Sequence, residues 1–154
     1  IKKPTFGSCW GFQALARALG GEVRNDPHTT EVGTQAVTLT AAGRADPVLG
    51  ALGEMFLAPM GHEDSVTVLP RSAILLATTE RCLYQAMCFS DRPMYATQFH
   101  PELTRDDLLD RLRYYPEYVE LISGMSFDKF VESCQEVYQA GSILPRFAQH
   151  VLQS

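Results

Sequence analysis

The sequence lacks most of the features that would place it in a membrane, on nucleic acid or around a nucleotide. Its 154 residues contain no apolar run of roughly eighteen, the length a membrane-crossing helix requires, and no secretory signal is visible. Thirteen Lys and Arg stand against eighteen Asp and Glu, giving a net charge of −5 with no basic cluster, which argues against a nucleic-acid partner. There is no phosphate-binding glycine loop, so nothing in the chain is equipped to bind ATP. Internal repeats and low-complexity runs are also missing. Cysteine is sparse, at positions 9, 82, 88 and 134, a spacing that forms neither a paired metal motif nor a dense disulfide framework. These absences point to a reducing, cytoplasmic compartment, with no membrane, metal or cofactor.

What is present is ordinary for one globular domain with a real core: 45% hydrophobic and 20% charged residues. The chain is organised around Gly7-Ser8-Cys9-Trp10-Gly11. Pro4-Thr5-Phe6 leads in as a strand, and Phe12 to Leu19 leads out as a helix. A strand, a sharp turn and a helix with a reactive side chain at the apex follow the logic of a nucleophile elbow, here with cysteine. Such a turn forces the central residue into a strained conformation, so the residues two away are expected to be small. The helix N-terminus behind Cys9 favours negative charge on sulfur or on an oxyanion. The alternative is a buried, inert cysteine beside a glycine turn.

A second constellation bears on that choice. Ala96-Thr97-Gln98-Phe99-His100-Pro101-Glu102 reads as a strand ending in a histidine and a carboxylate. A cysteine nucleophile needs a base, and the base needs a group that holds its tautomer. His100 and Glu102 are two apart, so an extended backbone projects both to one side. Cys9, His100 and Glu102 together would make a catalytic triad.

Gly7 to Gln13, with its Gly-x-Cys-x-Gly-x-Gln pattern, and Phe99-His100-Pro101-Glu102 resemble the signatures of the class I, triad-type glutamine amidotransferases. The stretches Ala16 to Gly21, Glu31-Val32-Gly33, Thr40 to Pro47 and His62 to Val66 resemble most the amidotransferase domain of GMP synthase and its stand-alone relatives. The resemblance covers roughly residues 4 to 104. It implies an α/β fold with a mostly parallel open sheet flanked by helices, the flavodoxin-like fold of that family. Members carry further strands and a glycine-bearing oxyanion loop before the elbow. The resemblance therefore implies an N-terminally incomplete core over 1–104, a fragment of a longer protein, followed by a C-terminal helical extension over 105–154 packed on that core.

For chemistry, the resemblance implies hydrolysis of the glutamine side-chain amide through a cysteine thioester. Cys9 attacks, His100 moves the proton, Glu102 orients His100 and the Trp10 backbone N–H donates to the oxyanion. Gln13, His62 and Asp64 help hold the substrate, the last two from a loop across the site. In that loop Gly61 stands where the family has serine, and Glu63 where it has a small residue. Glu31 belongs to a Glu-x-Gly motif and is read as structural rather than functional. A metal at His62 between Glu63 and Asp64 and a plain solvated acidic turn are the other readings of the loop. The expected partners are glutamine or a similar small amide, and a synthetase or acceptor on another chain. Two other functions stay open: a hydrolase of γ-glutamyl peptides or another small amide, and a catalytically silent binding or regulatory domain.

The remaining pattern gives strands at Glu22–Arg24, 31–40, Met55–Ala58, 73–77, 83–89 and 94–99. The last two form a hairpin around Ser90 to Pro93. Cys82 and Cys88 fall there as packing residues. Thr104 or Asp106 starts a helix with Leu108, Leu109 and Leu112 on its apolar face, and Tyr114-Tyr115-Pro116 breaks it. Ser126 caps a helix whose apolar positions run from Phe127 to Tyr138, and Gly141 separates it from a last one bearing Ile143, Phe147 and Val151. These helices either cover a sheet face or form a homodimer surface.

Overall fold

Two short runs, Ala86–Phe89 and Met94–Thr97, are buried at every position, as strands covered on both faces must be. They lie inside a six-stranded sheet. The computed structural model describes residues 3–153. In chain order its elements are β1 (Thr5–Ser8), α1 (Trp10–Ala18), β2 (Glu22–Asn25), β3 (Glu31–Leu39), α2 (Ala41–Ala45), a 3-10 turn at Gly50–Leu52, β4 (Met55–His62), β5 (Asp64–Val68), β6 (Ala73–Thr78), β7 (Ala86–Phe89) and β8 (Met94–Thr97). Five helices follow: α3 (Arg105–Leu112), α4 (Pro116–Ser123), α5 (Phe127–Ser133), α6 (Tyr138–Gly141) and α7 (Ile143–Gln153).

The main sheet runs β1-β8-β7-β6-β3-β4, and β2 pairs with β5 in a separate ribbon. The α/β class and the helix-flanked open sheet are as expected. The sheet is mixed: its parallel pairing is β1 with β8, and β3–β4, β3–β6, β6–β7 and β7–β8 are antiparallel. The four-residue turn Ser90 to Pro93 is too short to join β7 and β8 in any other than an antiparallel pair. The parallel pair is the one that matters for the site, since it sets the end of β1 beside the end of β8.

Alternating side chains divide the core between the two faces of the sheet. Met87, Met94 and Ala96 pack with Phe12 and Ala16 of α1 and Val66 of β5. Cys88 and Tyr95 face the opposite cluster, with Leu39, Phe56, Leu76, Phe99 and Ile143. Helix α7 closes that side by edge-to-face contacts of Phe147 with Phe6, at 5.3 Å, and with Tyr95, at 5.6 Å. A third cluster joins α3, α4 and α5 to the start of β3 through Leu108, Leu112, Val119, Phe130 and Val32.

Two expectations about elements are corrected. The segment from Pro59 to Asp64 is strand, not loop: β4 runs to His62, and Glu63 alone turns the chain into β5. Pairing with β3 over its whole length, from Thr38–Met55 to Glu31–His62, supplies the ladder that the local sequence does not advertise. The periodic run from Phe127 to Tyr138 is interrupted at Cys134, which turns to extended backbone. There Gln135 N–H donates to Thr34 Oγ1 at 3.1 Å, and Arg105 Nε and Nη2 donate to the carbonyls of Cys134 and Val131, each at 2.8 Å. These tertiary bonds satisfy the α5 C-terminus and outcompete another helical turn. The helix at Arg105 starts where the sequence indicates, with Thr104 and Asp107 forming a reciprocal capping box.

Candidate active site

Cys9 occupies the apex between β1 and α1 at φ 50°, ψ −106°, and among the described residues it is the non-glycine residue with positive φ. A β-carbon on Gly7 would lie 2.8 Å from the Gly11 carbonyl carbon, so glycine is required at that position. The expectation of enforced smallness fails at Gly11, where a β-carbon meets nothing within 4 Å. The sharpness of the elbow therefore rests on Gly7. Cys9 N–H donates to the Thr97 carbonyl at 2.8 Å, tying the apex to the segment that carries His100.

His100 Nδ1 lies 2.7 Å from Glu102 Oε1, and a carboxylate can only accept, so Nδ1 carries the hydrogen. Nε2 is thereby left for the hydrogen bond His100 shares with Cys9. Burial disfavours charge on His100, but the hydrogen bonds with Cys9 and Glu102 and the negative charge of both outweigh it, lifting the imidazole from 6.5 to about 9. Glu102 is held below the ordinary carboxyl range: burial works against its charge, but the His100 hydrogen bond and charge, with help from the Ser8 hydroxyl, prevail. Cys9, His100 and Glu102 are thus together in space. Trp10 begins α1 with a 77% exposed side chain, and its N–H is one of the first helical donors, which have no intrahelical acceptor.

The other expected site residues are arranged differently from a substrate-facing loop. His62 is 3% exposed; its Nε2 sits 3.2 Å from Glu31 Oε2 and its Nδ1 3.0 Å from the Asp64 carbonyl. It is part of a buried network in which Gln85 Nε2 also donates to Glu31 Oε2. Asp64 turns its carboxylate outward, to Asn25 Nδ2 at 2.9 Å. Its main-chain carbonyl is what reaches the site, accepting from Gln13 Nε2 at 2.7 Å. Gly61 contributes a carbonyl 3.9 Å from Cys9 Sγ. Glu31, read as structural, is buried at 3% exposure and enters that network through Oε2.

Gln98 is a site residue that the sequence pattern does not single out. It is fully buried, its Nε2 lies 3.7 Å from Cys9 Sγ and its Oε1 accepts from Gln13 Nε2 at 3.2 Å. The available signal is its position two residues before His100, which in extended backbone puts both side chains on one side. Tyr118 is another. Burial, Glu63 and Cys9 push its hydroxyl up to about 12. Beside it, Glu63, Thr30, Asn25 and Arg81 line a surface cleft.

The remaining thiols are buried. Burial pushes Cys82 up to about 11 and Cys88 to about 12, and raises Cys134 too.

An α/β sheet here brings together an elbow cysteine at a strand end, a histidine and carboxylate at the neighbouring strand's exit, and a helix N-terminus behind the sulfur, an arrangement chemically able to form and break an acyl–sulfur bond. Residues 1–108 match the family described as Glutamine amidotransferase class-I, and the chain belongs to that family. Over 105 residues it is 39% identical to a GMP synthase [glutamine-hydrolyzing] from Bordetella avium, covering 66% of this chain and 20% of that protein. The corresponding enzyme of Malacoplasma penetrans is 34% identical over 102 residues, covering 66% and 19%. The chain thus spans about a fifth of the length of the curated relatives it matches. Among solved structures, a putative GMP synthase subunit from Thermoplasma acidophilum is 31% identical, with a TM-score of 0.62 over 67% of this chain and 50% of that one. A glutamine amidotransferase from Thermotoga maritima, 22% identical, shares the fold at a TM-score of 0.79 over 98% of this chain and 63% of its own. No helix among the described residues is long and apolar enough to cross a membrane.

Proposed function

We propose that the protein hydrolyses the side-chain amide of glutamine through a γ-glutamyl thioester on Cys9. The observation that carries this reading is the chain of contacts Cys9–His100–Glu102, anchored by the 2.7 Å bond between His100 Nδ1 and Glu102. Its support from kinship is that the relatives named above are glutamine-hydrolysing GMP synthases.

In this mechanism the Cys9 sulfur adds to the amide carbon, and the carbonyl oxygen takes the negative charge. The Trp10 N–H and the α1 N-terminus stabilise that charge as it develops. His100 holds the proton the departing nitrogen needs, and an imidazole lifted to about 9 keeps it there at neutral pH. Donation of that proton lets the carbon–nitrogen bond break, releasing ammonia and leaving the thioester. His100, now neutral, takes a proton from water as the hydroxyl adds to the thioester, and the sulfur leaves with glutamate as product. Glu102 keeps the imidazole in the right tautomer and stabilises its charged form. Gln13 is a substrate-positioning residue. A synthetase or other ammonia acceptor on a further domain or chain completes the pathway in this reading, which is supported by the relatives being GMP synthases. The domain division proposed is a catalytic core over 1–104 with the helices of 105–154 as its extension.

The test is glutamine-dependent ammonia release, compared between the parent protein and Cys9→Ala. Release abolished in the variant supports the reading. Folded parent protein that releases no ammonia, alone or with candidate acceptors, overturns it.

A further inference from the structure

The orientation of two buried carboxamides beside Cys9 follows from one backbone carbonyl. The Asp64 carbonyl can only accept, so the Gln13 atom 2.7 Å from it must be the amide nitrogen. The second hydrogen of that nitrogen points to Gln98, 3.2 Å away, where it needs an acceptor, and this makes the facing atom Gln98 Oε1. The other end of the Gln98 carboxamide is then necessarily its NH2 group, and that end sits 3.7 Å from Cys9 Sγ. The Gln98 backbone is fixed as well, its N–H donating to the Gln85 carbonyl at 2.8 Å. With the whole residue out of solvent, a flip of Gln98 would set donor against donor, and a flip of Gln13 would set its amide oxygen against the Asp64 carbonyl.

From this we infer that Gln98 is a catalytic residue: its side-chain N–H donates to the Cys9 sulfur and favours the anionic nucleophile, in a polarity imposed by Asp64 through Gln13. A donor aimed at an atom that carries charge stabilises the charged form. The donor also aims the sulfur, which has a single torsion from a strained backbone. A positive φ at Cys9 sets where the side chain leaves the chain, and its polar contacts with His100, Gln98 and the Gly61 carbonyl settle where it stops. The inference rests on Cys9 being the nucleophile of the proposed reaction.

The experiment follows Cys9 alkylation by iodoacetamide against pH, read by intact mass, in the parent protein, Gln98→Met and Gln98→Glu. Burial protects the other three thiols, so the reaction reports on Cys9. Methionine keeps the volume and removes the donor. Its alkylation profile is expected to move about one pH unit higher, lowering the rate near neutrality about tenfold, since a hydrogen bond to a charged group is worth that much. Glutamate still accepts from Gln13 but turns a carboxylate toward the sulfur, so its profile moves further and the KM for glutamine changes less than kcat. A folded Gln98→Met protein with the parent profile overturns the inference. A second measurement leaves position 98 intact: with glutamine side chains 15N-labelled, Cys9→Ala should move a Gln98 side-chain amide proton upfield, and no movement overturns the inference too. Neither the alkylation profile nor the amide shift needs substrate, so their failure is distinct from an absence of ammonia release.

Discussion

If His100 is lifted by its partners, folding stability must fall with rising pH in a window set by that residue. In the unfolded chain the imidazole titrates near 6.5 and in the fold near 9. A raised value means that the folded state binds the proton more tightly. The extra stability is therefore fully present below about 6.5 and is lost as pH climbs through about 9. Its size follows from the displacement, on the order of 3 kcal/mol at roughly 1.4 kcal/mol per pH unit. The window is separable from that of the buried thiols, because Cys82 and Cys88 are pushed up to about 11 and 12 and their contribution is lost only at higher pH. Glu102 acts at the opposite end: its lowered value contributes above the ordinary carboxyl range and is lost in acid. Urea midpoints between pH 6 and 9 should decline in the parent protein. The decline should shrink in Glu102→Gln and in Cys9→Ala, and nearly vanish in His100→Gln. An equal slope in His100→Gln and parent would show that the imidazole is not held by these partners.

Four further outcomes are expected. Gly7→Ala should destabilise by about 2 kcal/mol or more and remove activity, because its β-carbon would sit 2.8 Å from the Gly11 carbonyl carbon. Gly11→Ala, facing open space, should leave stability nearly unchanged; chemical denaturation of the two variants checks both. Glu31→Ala should cost about 3–5 kcal/mol, since it strips the acceptor from His62 and Gln85 in a site away from water, and the loss should appear as a lower Tm and a raised KM through Asp64 and Gln13. Thr104→Ala removes a reciprocal helix cap and should lower stability by about 1 kcal/mol by urea titration, without touching kcat.

How much of this could be read from residues alone differs by element. Patterns that are local were legible. The elbow glycine, the helix behind Cys9, the Thr104 cap and the i,i+2 pairing of His100 with Glu102 all act over a few residues. The roles of His62 and Asp64 were not. Histidine between two acidic residues looks like a polar loop, but its partner is Glu31, brought opposite by the β3–β4 ladder. Asp64 contributes a backbone carbonyl, which has no sequence signature. The break after Ser133 depends on Thr34 and Arg105, which are distant in sequence, so helical periodicity ran on past it. Gln98 was visible only as a neighbour of His100, because the atom that orients it is 34 positions away and reaches it through Gln13.

The central claim is that Cys9 carries the acyl group. Acid quenching of the protein during turnover with isotopically labelled glutamine, followed by peptide mapping, should recover the glutamyl label on the peptide containing Cys9. Neutral hydroxylamine should release it as expected of a thioester, and Cys9→Ala should carry none. Label on Cys82, Cys88 or Cys134, or ammonia release that persists in Cys9→Ala, would contradict the account.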